Sequence, residues 1–189
     1  MGKKTYLEIV EHYESCFEKH GDSHLGVDWP RSEDIDTRFR VMIDMFKDDS
    51  AQEISLLDFG CGLSHLFDYM RRQQLSNVKY NGLDLSEKFT EFSKFKYPQN
   101  TYYCFDVIAN PDQLPEFDYI VMNGVFTQKR DLTFDEMLDY FQKLIKLVFE
   151  KAKRGMAFNV MSKEVDWENE GSFHLSFDVL ADFLTQHLS

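Results

Sequence analysis

An apolar run from Ile54 to Phe59 leads into Gly60-Cys61-Gly62, two glycines set one residue apart, where a ligand can approach the backbone closely. The stripe Leu63, Leu66, Phe67 and Met70 predicts a helix directly afterwards, whose N-terminus would add unpaired N–H groups. Strand, glycine turn and helix together suit a nucleotide-like cofactor. The flanking residues narrow the choice. A dinucleotide fingerprint asks for a third glycine, and His65 stands in its place. Asp58 would put a carboxylate beside a pyrophosphate, an unfavourable pairing of like charges, whereas it suits a cation.

S-adenosylmethionine carries a sulfonium and an ammonium and has no phosphate, so the charge pattern favours it over NAD. Asp84 ends the second apolar run, 22 positions after Gly62, and a carboxylate there can accept both ribose hydroxyls. Asp106 ends the third run and can accept from the adenine amino group. Asn123 follows the fourth and would line the floor near the transferred methyl. All these positions fall at the carboxyl ends of successive strands, where open α/β sheets bind ligands.

The elements that position them follow from the hydrophobic period. Tyr6, Ile9, Val10, Tyr13 and Phe17 predict a helix from Thr5 to about Lys19, and residues 20–30 read as a loop. Ser32 is expected to cap a second helix carrying Ile35, Phe39, Met42, Ile43 and Phe46 on one face. Strands are expected at Ile54–Phe59, Val78–Leu83, Thr101–Phe105, Phe117–Met122 and Met156–Met161. Phe89, Phe92 and Phe95 predict a helix after the second strand. Thr133 and Glu136 form a capping box at the start of a long helix, and Ser176 caps a last one. Alternating strands and helices mean an α/β, doubly wound, mostly parallel sheet. The chain is expected to be a single domain, with residues 1–50 as an N-terminal helical cap and 51–189 as the cofactor-binding, Rossmann-like part.

The ordered set Leu56-Leu57-Asp58-Phe59-Gly60-Cys61-Gly62, Asp84, Phe105-Asp106 and Phe117-Asp118-Tyr119-Ile120-Val121 resembles the motifs of class I S-adenosylmethionine-dependent methyltransferases. The resemblance implies a Rossmann-like fold and a cofactor set of Asp58, Gly60, Cys61, Gly62, Asp84, Leu85, Asp106, Val107 and Asn123. Gly26-Val27-Asp28-Trp29 followed by Thr37-Arg38-Phe39 is similar to a pattern in a bacterial subgroup, and implies that Arg38 pairs with the cofactor carboxylate, which a guanidinium suits. Phe173-His174-Leu175-Ser176 resembles a stretch of the same subgroup, which makes His174 the first choice of catalytic base, ahead of His20 and His24. Tyr13, Trp29 and Trp167 are candidate acceptor walls.

Relative to that family the antiparallel strands after the last helix are missing. Met156–Met161 is therefore expected to be an open sheet edge, suited to pairing with a second copy or to closure by further chain.

The net charge of −12 repels polyanions and excludes nucleic acid as the obvious substrate. Three scattered Cys and six scattered His give neither a disulfide framework nor a metal ligand pattern, so no metal is expected and a reducing, cytoplasmic setting is. No apolar run is long enough to span a membrane. The sequence reading is thus a methyltransferase acting on an O or N atom of a small molecule. Its rivals are a cofactor-binding module serving a partner chain, a protein-directed methyltransferase, and an NAD-linked oxidoreductase, which Asp58 and His65 disfavour.

Overall fold

The computed structural model describes residues 6–188. Strands β1 (Ile54–Phe59), β2 (Val78–Leu83), β3 (Thr101–Tyr103), β4 (Phe117–Phe126), β5 (Ala152–Ser162) and β6 (His174–Leu175) form one sheet in the order β3-β2-β1-β4-β5-β6. Every strand pairing is parallel. This is the Rossmann-like, doubly wound sheet that the alternating pattern predicts.

Side chains alternate across each strand, and the two sets pack into two cores. Leu57, Phe59, Ile120 and Met122 face a core completed by α5 (Phe134–Phe149), α6 (Phe177–His187) and Ile9 of α1 (Leu7–His20). Ile54, Leu56, Tyr119 and Val121 face the other, with α2 (Ile35–Ile43) and α3 (His65–Arg72). Asp58 shares the parity of Leu56, so its carboxyl is carried into the interior on the α2–α3 side. Helix α4 (Glu87–Lys96) leaves β2 through the Ser86 cap, whose hydroxyl accepts from the Phe89 amide. The N-terminal cap is not a detached unit: Phe39, Met42, Ile43 and Phe46 belong to the second core.

Several expectations are corrected. Ser32 does not cap α2; it opens a short 3₁₀ turn, Ser32–Asp34, that runs into the helix without a side-chain cap. Residues 20–30 are ordered by a second such turn, His24–Val27, capped by Ser23. Phe95 faces solvent at 85% exposure, so only Phe89 and Phe92 of the predicted stripe pack inward. The capping box of Thr133 with Glu136 and the Ser176 cap are both formed. Thr5, the expected first residue of α1, lies outside the described residues.

Two strands are longer than the apolar runs that announce them. β4 continues through Asn123-Gly124-Val125 to Phe126, with a register irregularity against β5 between Met122 and Phe126. Gly124 takes φ 91° there, and its amide donates to Asn159 Oδ1 at 2.7 Å. A bulge of this kind re-aims side chains without ending the pairing. β5 is not a wholly open edge: β6 pairs with Met161 and Ser162. Among the described residues the remainder of that edge has no strand partner, which shortens the surface on which the expected pairing of two copies would rest.

Candidate functional site

A cleft opens at the carboxyl ends of β1, β2 and β4. Its floor is the turn after β1, its walls are Leu83, Asp84 and Leu85 on one side and Asn123, Gly124 and Val125 on the other, and α1 and Trp29 cover it. The turn is built from left-handed residues: Gly60 at φ 74°, Gly62 at φ 48° and Ser64 at φ 59°. At Gly60 a side chain is excluded twice, by this φ and by the Val125 methyl 2.7 Å from where a Cβ would stand.

The amides of this turn point inward. Gly60 and Cys61 both donate to the Leu83 carbonyl, at 2.7 and 3.0 Å, and Gly62 donates to Asp84 Oδ2 at 2.9 Å. These three amides are therefore taken up within the fold. A pyrophosphate would lose the donors that usually hold it. What the turn offers a ligand instead is carboxylate. Asp58 is buried, and its carboxyl is pushed up to about 7 by desolvation, against the Tyr80 hydroxyl that donates to it at 2.7 Å and with the nearby Asp84 charge adding to the rise. Burial likewise raises Asp84 to about 6, although the Ser86 and Gly62 amides favour its ionised form. Amides of Ser86, Gly62 and Leu85 bond the Asp84 carboxyl, whose two oxygens together still keep acceptor capacity for a hydroxyl.

Of the expected cofactor residues, Asp58, Gly60, Cys61, Gly62, Asp84, Leu85 and Asn123 all line the cleft. Asn123 is 9% exposed, and neither its side-chain oxygen nor its nitrogen has a partner. Such a group is costly unless something binds it.

Other expectations fall away from the cleft lining. Asp106 Oδ2 accepts the Tyr6 hydroxyl at 2.6 Å, so it is Tyr6 that lines the cleft there. Burial, then the Asp106 hydrogen bond, pushes the Tyr6 hydroxyl up to about 12, which keeps it a donor. Val107 is buried in the core. Arg38 is exposed and lies over the Trp29 ring at 5.5 Å. His174 is 4% exposed in β6, with Nδ1 bonded to the Ser162 carbonyl at 2.7 Å, and is not a cleft residue. His20 is exposed, His24 Nδ1 bonds the Trp29 carbonyl at 2.6 Å, and Trp167 is 74% exposed. Tyr13 and Trp29, the remaining expected walls, do line the cleft.

Three polar lining residues, Tyr6, Tyr140 and His65, were not singled out as ligand-facing from the sequence. Tyr6 was absorbed into an amphipathic stripe, and Tyr140 stacks on it with ring centroids 4.5 Å apart. Tyr140 lies in step with Met137 and Leu144 on the buried face of α5, so its place in the sequence reads as core. His65, noted only as the missing third glycine, lines the cleft with Nε2 2.9 Å from Asp22 Oδ1.

The family model described as "Methyltransferase domain" matches residues 57–148, which span the glycine turn, Asp84, Asp106 and Asn123. That stretch is thus similar to a methyltransferase domain, and it is seated on a Rossmann-like sheet. A Mycobacterium tuberculosis protein named as a methyltransferase is 24% identical over 117 residues, covering 62% of this chain and 69% of its own. Among solved structures, magnesium protoporphyrin IX methyltransferase from Synechocystis with bound S-adenosylmethionine superposes with a TM-score of 0.67 at 16% identity, over 99% of this chain and 88% of that one. A TehB-like S-adenosylmethionine-dependent methyltransferase from Corynebacterium glutamicum gives 0.53 at 13% identity, over 96% and 81%.

The cleft fits S-adenosylmethionine, which the Synechocystis neighbour holds. Asp84 has free acceptor capacity for ribose, Asp58 supplies a carboxyl beside the turn, and Asn123 is an amide in want of a partner. No helix among the described residues is long and apolar enough to cross a membrane.

Proposed function

We propose that this methyltransferase domain transfers a methyl group to an O or N atom of a small acceptor with an apolar, ring-bearing body. Tyr13, Trp29, Phe39 and Tyr140 among the lining residues favour a flat apolar partner. The net charge of −12 argues against polyanionic acceptors. The Synechocystis neighbour is named for a small-molecule acceptor, which supports the same class.

The cofactor supplies an already activated methyl on a sulfonium, so the chain's own work is to bind, orient and exclude water. Asp84 accepts ribose hydroxyls and thereby sets the cofactor's place along the strand ends. Asp58 offers negative charge near the turn in a desolvated setting where it attracts a cation strongly. Asn123, re-aimed by the β4 bulge, is the group that aligns the reacting end, and its unpartnered amide is the observation that carries this reading.

His65 is the cleft imidazole. With Nε2 bonded to Asp22, its Nδ1 is left to take the acceptor's proton. Asp22 suits that role: burial opposes its charge, but hydrogen bonds from Lys96 and His65 hold its carboxyl below the usual range.

The test is transfer of a labelled methyl group from S-adenosylmethionine to a panel of aromatic alcohols and amines, each run beside a peptide and an oligonucleotide panel. Turnover confined to the small ring-bearing acceptors is the expected result. Turnover of peptides alone would replace this proposal with a protein-directed activity.

A further inference from the structure

The cap over the cleft holds a cluster that cofactor binding does not use. His12 and Cys16 stand four residues apart on α1 and so share one face. Asp28 reaches the same point from the end of the turn His24–Val27, held in a left-handed conformation at φ 55°. His12 Nε2 lies 2.9 Å from Asp28 Oδ2 and 3.8 Å from Cys16 Sγ. One ligand atom from each of the three falls within 4.8 Å of the others.

These separations are close to those of a small tetrahedral site. Bonds of ~2.0–2.3 Å to nitrogen, oxygen and sulfur place neighbouring ligand atoms roughly 3.3–3.6 Å apart. Metal binding would open the His12–Asp28 pair by a few tenths of an ångström and draw Cys16 Sγ inward towards both partners. A thiolate and a carboxylate cancel a divalent charge, and a sulfur and an imidazole among three ligands select the zinc class over magnesium or calcium. His12 and Asp28 keep 20% and 33% of their side chains exposed, which leaves an entry path and room for water as the fourth ligand.

We propose that His12, Cys16 and Asp28 bind one divalent cation of the zinc class. The proposal departs from the sequence expectation of no metal pattern, because the third ligand comes from a different element. The site also has a consequence for the cleft. Tyr13 and Trp29 are chain neighbours of the ligands and both line it, so the ion fastens α1 to the loop carrying Trp29 and holds the two walls together.

Cobalt(II) titration of the full chain tests this by its absorption spectrum. One equivalent is expected to give tetrahedral d–d bands and a thiolate-to-cobalt charge-transfer band, displaced by zinc. Cys16→Ser should abolish the charge-transfer band, whereas Cys104→Ser, which changes an exposed thiol elsewhere, should retain it. His12→Asn and Asp28→Asn should each weaken cobalt binding by more than about tenfold, with circular dichroism showing that each variant is folded. Zinc should raise the melting temperature of the parent protein and leave that of Asp28→Asn unmoved. A parent protein with no saturable charge-transfer band, or a band that survives Cys16→Ser, would overturn the proposal and leave His12–Asp28 as a plain hydrogen bond.

Discussion

Asn123 gives the sharpest residue-scale prediction, because its two polar atoms are buried without partners. Removing an unsatisfied amide costs the ligand-free fold little, whereas removing a bound one costs the complex a hydrogen bond or two. Asn123→Ala should leave the melting temperature of the free protein unchanged or slightly higher, and lower kcat/KM by about 1–3 kcal/mol of transition-state stabilisation. Calorimetry and steady-state kinetics on one preparation would check both halves. Gly60 predicts the opposite pattern. Alanine there meets Val125 and a left-handed φ, so Gly60→Ala should destabilise the free protein by ~1 kcal/mol or more and abolish cofactor binding with it. His65→Gln should lower kcat at saturating acceptor with little change in KM. An unchanged kcat would remove His65 as the proton acceptor.

At the scale of elements, α1 covers the cleft and joins the fold through contacts that can be removed one at a time. Tyr6 holds Asp106 and stacks on Tyr140, and Glu14 accepts the Ser86 hydroxyl at 2.7 Å. Tyr6→Phe removes one charged-acceptor hydrogen bond, worth about 1.5–3 kcal/mol where buried and less at this half-buried site. Hydrogen exchange should quicken along Leu7–His20 and stay unchanged in β1 and β4. Uniform quickening through the sheet would mean that α1 is integral to the core.

What the sequence made legible divides along the same line. β1 and β2 match the expected bounds because each is a short, mostly buried stretch cut off at once, β1 by the glycine turn after Phe59 and β2 by Asp84. β4 was expected to stop at Met122 because Asn-Gly reads as a turn, and only the pairing with β5 carries it on to Phe126. Asp58, Asp84 and Asn123 were found because strand ends fix their place. Tyr6, Tyr140 and the His12–Cys16–Asp28 cluster depend on how α1 lies over the sheet, and local periodicity carries no information about that. His174 and Arg38 rested on resemblance alone; the first is walled into β6 and the second lies over Trp29.

For the molecule as a whole, two buried carboxyls make stability and cofactor affinity respond to pH in opposite directions. In the unfolded chain Asp58 and Asp84 lose their protons near pH 4. In the folded protein, burial holds those protons up to about 7 and about 6. Between these values the native state binds more protons than the unfolded one, so the free protein should lose stability as pH rises from about 4 to 7 and level off above. A bound sulfonium and ammonium reverse the preference, because they stabilise the ionised carboxyls. S-adenosylmethionine affinity should therefore rise with pH by up to about tenfold per unit for each proton released, then flatten above about pH 7. S-adenosylhomocysteine lacks the sulfonium charge and should show the shallower slope. Isothermal titration at pH 6 in buffers of different ionisation enthalpy would report the released protons directly. An affinity that is flat from pH 5.5 to 8, with no proton release, would mean that Asp58 stays protonated beside the cofactor and acts there as a hydrogen-bond donor instead of a countercharge.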